Sequence, residues 1–334
     1  MSQLAILLAL VREYGTVHEM ASFLRVRGLK GGSTWAQLIE ERIRPALAEG
    51  LLTEDALVGF LRDVEEYGRQ HVFLFQGKGN GNAVPTSRAV AGWLDERGIT
   101  DLLQSSTIVN MPKRPTVSEV RRERRSGVDM LTVKVIETRA FDTFITQREL
   151  DGHRYSREYQ RAEARSVNVV RFHSDGLIEF RVQSHKNGSG KYEEELSKLQ
   201  TMVMPLFNPT RSSPIRLAKA KATIYENRQN LTSVISFAGT DIRNTAGHQF
   251  TAHCTSQQNL FSHPATDKSL ALLTADGEGY HEGLNLWWLA QAKERPQERM
   301  HVRLGGASNE FVVTQLCSPG DYEYVLAEIR KFNR

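Results

Sequence analysis

The sequence predicts an α+β protein: a helical N-terminal domain followed by a β-rich mixed body with antiparallel hairpins. Three observations carry this reading. Residues 2–64 repeat apolar side chains at helical spacing behind Ser and Thr caps. The central stretch SVNVVRFHSDGLIEFRVQ, residues 166–183, sets two apolar runs about Ser174-Asp175-Gly176. The last hundred or so residues hold short apolar runs between glycines and close on an amphipathic helix. With 334 residues and 40% hydrophobic content, the chain is long enough to build two or three domains with real cores.

The elements follow in order. Leu4, Leu7, Leu8 and Val11 make one helix over 2–14; Thr16 caps a second over 16–27, broken by Gly28, Gly31 and Gly32. Ser33-Thr34 starts a third that Gly50 closes, and Thr53-Glu54-Asp55 starts a fourth with acid in its first turn. The run HVFLFQ then either continues this helix or becomes a strand. Residues 1–76 are thus a helical domain, and 77–110 a glycine-rich linker and helix with Trp93 in its core. Residues 111–230 are a basic β-rich middle domain, and 231–334 a C-terminal α+β domain. In the hairpin, a three-residue loop with Gly176 at positive φ puts Val170, Phe172, Ile178, Phe180 and Val182 on one face. Arg171 then stands opposite Glu179 on the other. Leu131, Val133 and Val135 alternate as a strand, and Phe141 to Ile145 read as another. Residues 192–203 read as helix, and 215–225 as helix or strand. In LNLWWL a strand sends Trp287 and Trp288 to opposite faces, one into the core and one towards an interface.

Charge is unevenly spread. Residues 1–110 carry 11 Lys/Arg and 13 Asp/Glu; residues 111–230 carry 23 and 15; the remainder carries 9 and 11. The middle therefore stands at +8 between two segments at −2, the asymmetry expected of a domain that meets a polyanion. Arg121, Arg122, Arg124 and Arg125 form either a phosphate-contacting patch or a solvated loop. In 151–165, Arg154, Arg157, Arg161 and Arg165 recur at three, four and four. On a helix they form one basic stripe beside Tyr155 and Tyr159, able to follow several phosphates or to lie as a face laced by Glu–Arg pairs. Lys186, Lys191, Arg216, Lys219 and Lys221 extend the basic set.

The short motifs of chemistry are missing. Residues 76–85, QGKGNGNAVP, lack the phosphate-loop spacing. His248, His253, Cys254 and His263 do not follow structural zinc spacing, and Cys317 has no local base. Asp175 with Glu179 and Arg181, or Asp129 with Lys134, are poor fragments of a metal nuclease. No catalytic residue, metal or cofactor is expected. Two cysteines do not build a disulfide scaffold, and no targeting segment or membrane-length run is read. The expected location is cytoplasmic or nucleoid-associated, or nuclear in a eukaryote.

The segment LLTEDALVGFLRDVEEYGRQHVFLFQ, residues 51–76, resembles the end of the helical amino-terminal domain in the CENP-N family of kinetochore proteins. The order that follows, linker and then a β-rich body with the 166–183 hairpin, resembles it too, over about the first 230 residues. The resemblance implies a non-enzymatic protein that recognises nucleosomes and DNA and contacts partner subunits. It also implies a nucleic-acid groove between the helical and β-rich domains, near Arg121–Arg125 and Arg154–Arg165. The expected function is a nucleic-acid-binding adaptor, for DNA or RNA and most simply double-stranded DNA, that recruits one or more protein subunits. Its competitors are a protein-interaction scaffold without nucleic-acid binding and a metal-dependent nuclease or other enzyme with a site assembled from distant residues.

Overall fold

A computed structural model describes residues 2–78, 83–125, 127–185, 190–255, 258–275, 279–291 and 295–334. Four helical segments come first: α1 (Gln3–Tyr14), α2 (Val17–Val26), a π-type segment Gln37–Ile43 that runs into α3 (Arg44–Ala48), and α4 (Glu54–Glu65). Their starts lie where the sequence places them. Ser2, Thr16 and Thr53 each accept a first-turn backbone N–H, and Thr16 and Glu19 form a reciprocal capping box. Leu7, Leu8, Val11, Leu24, Leu38, Leu57 and Leu61 close a core of their own.

The run after α4 is a strand, β1 (Gly68–Gly77), so HVFLFQ leaves the helix. Arg69, at φ 50, and Gly68, at φ 93, make the corner. The chain continues through α5 (Ser87–Asp95), a 3-10 turn at Thr100–Leu103, β2 (Thr116–Arg125), β3 (Val128–Asp151), β4 (Arg154–His173), β5 (Leu177–Gln183), α6 (Tyr192–Met202), β6 (Ser212–Pro214) and α7 (Ala218–Glu226). It ends with β7 (Ile235–Asn244), β8 (Gln249–His253), α8 (Pro264–Leu272), β9 (Gly279–Trp288), β10 (Met300–Leu304), β11 (Glu310–Leu316) and α9 (Pro319–Phe332).

Among the described residues eleven strands join one antiparallel sheet, in the order β2-β3-β4-β5-β1-β11-β10-β9-β7-β8, with β6 on β1. β1 lies between β5 and β11, so the sheet runs across the divisions drawn at 76 and 230. The hairpin forms as expected, with Gly176 at φ 89, Val170 opposite Phe180 and Arg171 opposite Glu179. Its apolar face packs with Trp93 and Leu94 of α5, Leu199 of α6 and Val203 just after it. In the other half of the sheet, Phe237, Leu286, Trp288, Val302 and Val313 pack beneath α7 and α9, and Trp287 stays half-exposed on the opposite face.

Three local expectations are corrected. The run Arg121–Arg125 is not a solvated loop but part of β2. Residues 131–135 and 141–145 are one 24-residue strand, not two. The stretch 151–165 is not a helix: Asp151-Gly152-His153 turns the chain, and Arg154 onwards pairs with β3 for twenty residues. A spacing of four puts residues on one side of a strand as well as of a helix, so Arg157, Arg161 and Arg165 share a face either way. Only Arg154, three residues from Arg157, falls on the other face.

Candidate functional site

Two features of the middle segment bear on function: a buried ionic layer and a projecting arm. The layer forms where the end of α4 meets the sheet. Glu65 and Glu66 follow the apolar stripe of α4 and, with Tyr67, are buried. Glu65 binds Arg165 and Lys134, each at 2.6 Å. Glu66 accepts from Arg121 Nη1 at 2.9 Å, and Glu119 binds Arg62. One strand further, Glu179 is held by His173 at 2.6 Å, Arg181 at 2.8 Å and the Tyr322 hydroxyl at 2.5 Å. Arg171 bonds Glu323 of α9 at 2.7 Å and the Tyr67 hydroxyl. Burial raises the Glu66 carboxyl, but the charges of Arg121 and Lys134 outweigh it and hold the group far below the usual carboxylate range. Glu179 is likewise lowered, burial being overcome by Arg181 and His173. Burial pushes the Tyr14 phenol up to about 12; its hydroxyl donates to the Arg165 carbonyl.

This layer accounts for part of the charge asymmetry. Arg121, Lys134, Arg165 and Arg171 of the middle segment meet Glu65, Glu66 and Glu323 of the flanking ones, while among the described residues Arg62 and Arg330 pair in the opposite sense, with Glu119 and Asp175. Some of the excess positive charge there is thus matched by acids elsewhere in the same chain.

The candidate cations among the described residues therefore do not form one face. Arg165 is buried and bonded to Glu65, and Arg121 is half-buried and bonded to Glu66, so neither side chain is held out towards a phosphate. Arg125 bonds Glu123 at 2.9 Å and the Tyr67 hydroxyl at 2.6 Å. On the other side of β2, Arg122 donates to the Pro85 carbonyl at 2.6 Å and Arg124 lies 3.6 Å from Asp129; both are exposed. Lys191 pairs with Glu194. Arg216 is exposed, Lys219 bonds the Arg334 carbonyl, and Lys221 donates to the Glu282 carbonyl at 2.6 Å; the latter two sit on α7, against the other half of the sheet. Lys186 lies outside the described residues. A cleft of about 740 Å³ does separate α4 from β2. Its charged lining is mixed: Glu54, Asp55 and Glu119 with Arg62, Arg121 and Arg122.

The arm is the free end of the β3–β4 hairpin. β2 pairs with β3 only through Ile136, and β5 pairs with β4 only from Val169. Beyond Ala140 and Ala162 the two strands run on alone for roughly 30 Å, from the strand rise. Among the described residues no strand pairs with either outer edge there. One face carries Tyr155, Arg157, Tyr159 and Arg161 at alternate positions, with Phe144 set edge-to-face on Tyr159 at 5.8 Å. Tyr155, Tyr159, Phe144, Ile145 and Leu150 are each more than half exposed. The arm's charges, from Ala140 to Glu163, are Arg148, Arg154, Arg157 and Arg161 against Asp142, Glu149, Asp151, Glu158 and Glu163.

Reading the sequence missed both features. The Glu65-Glu66 pair at the end of an apolar stripe was the available signal for the layer. The Asp151-Gly152 turn between two alternating runs was the signal for the arm.

Asp175 is bound by Arg330 at 2.8 Å, and burial pushes the Cys317 thiol up to about 12, which keeps it protonated. Among the described residues no three His, Cys, Asp or Glu side chains come together at metal-holding distance. Among the same residues no helix is long and apolar enough to cross a membrane. A scan of the chain against models of protein families and a search of curated proteins each find no match.

Proposed function

We propose that this chain is a non-enzymatic protein-interaction module whose contact element is the β3–β4 arm. The observation that carries this reading is a long two-stranded ribbon with open edges and exposed Phe144, Tyr155 and Tyr159. A two-stranded ribbon alone in water is marginal, and unpaired strand edges template association. Tyrosine and arginine side by side are also the residues that dominate protein contacts. The ribbon's root is anchored in the sheet: Arg165 bonds Glu65, and Ile136, Val167 and Val169 are buried together. The resemblance to the CENP-N family leads to the same proposal, contact with partner subunits.

The test replaces residues 142–161 by a short Asn-Gly turn. Extract of the source organism is passed over full-length and arm-less protein. Proteins retained by the full chain and lost without the arm support the reading. Identical retained sets, with both baits folded by circular dichroism, overturn it.

A second reading, the double-stranded DNA adaptor, draws on the alternation of Arg157 and Arg161 with Tyr155 and Tyr159. A two-stranded ribbon fits a DNA major groove, and arginines contact phosphates. It expects a gel shift that weakens steeply with salt and that Arg157→Ala with Arg161→Ala weakens similarly on many sequences. Unchanged affinity in the double variant refutes it.

A further inference from the structure

We infer that the arm pairs with the arm of a second copy of this chain, β4 against β4, antiparallel about a two-fold axis at Gln160. The inference rests on the proposed role of the arm as contact element and names its partner.

Backbone direction defines which edge is open. The Arg165 carbonyl accepts from Tyr14 and the Val167 N–H donates to the Gln183 side chain, both away from β3. Odd-numbered positions of β4 therefore present their N–H and C=O to the outer edge. At Arg165 that edge is already occupied, so the accessible edge ends at Glu163. From there to the tip, positions 155, 157, 159, 161 and 163 offer unpaired backbone groups.

Side-chain charge then selects the register. Among the described residues Arg157, Glu158, Arg161 and Glu163 form no ion pair within the chain; Arg157 only donates to the Gln147 side chain at 2.8 Å. Arg154, by contrast, is tied to Asp151. An axis at Gln160 sets Arg157 opposite Glu163 of the second copy, and Tyr159 opposite Arg161, twice each. That gives two ion pairs and two cation–π contacts, with backbone bonds exchanged at both pairs. An axis at Tyr159 opposes Arg157 to Arg161; an axis at Arg161 opposes that residue to itself; an axis at Glu158 opposes two carboxylates. Like charges directly opposite are destabilising. The near-neutral arm, with both signs alternating, suits a copy of itself better than a polyanion.

Sedimentation velocity on the purified full-length protein tests this. A concentration-dependent dimer is expected, lost when residues 142–161 are replaced by the short turn. Arg157→Glu and Glu163→Arg singly are each expected to weaken the dimer about tenfold, and together to restore it. Facing residues of a non-hydrogen-bonded pair stand close enough for a disulfide. Gln160→Cys treated with diamide is therefore expected to give a linked dimer, and Gln147→Cys, on the opposite strand, none beyond the wild-type background. A monomer at every concentration, a dimer that survives arm removal, or equal cross-linking at both positions overturns the inference. If the arm-dependent partners of the extract experiment persist while the pure protein stays monomeric, the partner assignment fails and the contact role stands.

Discussion

At the scale of single residues, the interior holds polar groups whose cost is measurable. Gln70 on β1 is fully buried, facing the sheet positions of Gln183 and Val313, and neither its amide nitrogen nor its oxygen has a hydrogen-bond partner. An unsatisfied buried amide destabilises, so Gln70→Met is expected to raise stability by about 1 kcal/mol in urea denaturation. His281 is also buried, with Nδ1 2.8 Å from the Thr240 hydroxyl and its ring against Tyr225. Burial, with Arg228 and Lys221 nearby, takes its pKa down from 6.5 to about 4. The folded state thus binds the proton less readily than the unfolded one. Its contribution is fully present above pH 6.5 and is lost as pH falls from there towards 4, by about 3 kcal/mol for the whole shift. Denaturation curves at a series of pH values check this: His281→Leu should flatten the fall that the native protein shows between pH 6.5 and 4. At the hinge between α4 and β1, a Cβ on Gly68 would sit 2.0 Å from the Gln315 carbonyl oxygen at a φ of 93. Gly68→Ala is expected to cost about 3 kcal/mol or more, read from the same titration.

At the scale of elements, strand identity is decided by pairing. The stretch 154–165 has helical spacing and good helix formers, yet it is a strand because β3 supplies a partner along its whole length. Local preference is a weak prior against so many cross-strand contacts. The arm beyond Ala140 and Ala162 adds little to either core, since nearly all its side chains are exposed. Removing residues 142–161 is therefore expected to leave the urea midpoint of the monomer unchanged. A large loss of stability would place the arm in the fold rather than in a contact.

At the scale of the whole molecule, opposite charges join the helical region to the sheet. Glu66→Gln removes one buried counter-charge from Arg121, which keeps Glu119 at 3.1 Å, and from Lys134, which keeps Glu65 at 2.6 Å; it is expected to cost about 3 kcal/mol, measured by urea denaturation. The depressed carboxyls of Glu66 and Glu179 set the sign with acid. Their stabilisation is present above 4.5, the ordinary carboxyl value, and is lost as pH falls below it towards their lower folded values. Hydrogen exchange in acid should show the layer opening first, with the α4–β1 junction losing protection before the core of β9, β10 and β11.

Read residue by residue, the chain declares its N-terminal helices with the Thr16 and Thr53 caps, the 166–183 hairpin with its three-residue loop, and the opposed pair Trp287 and Trp288. These depend on neighbours a few positions away, where periodicity and turn chemistry act. The same reading takes the net charge of the middle segment for a surface feature, because a one-dimensional count cannot say which arginines will meet Glu65, Glu66, Glu179 or Glu323. Those contacts join positions up to 152 residues apart. Which cations are buried, which strand β1 sits between, and that β3 and β4 outrun the sheet are settled only when distant segments pack. Burial and long-range pairing depend on every element at once, and no local window contains them.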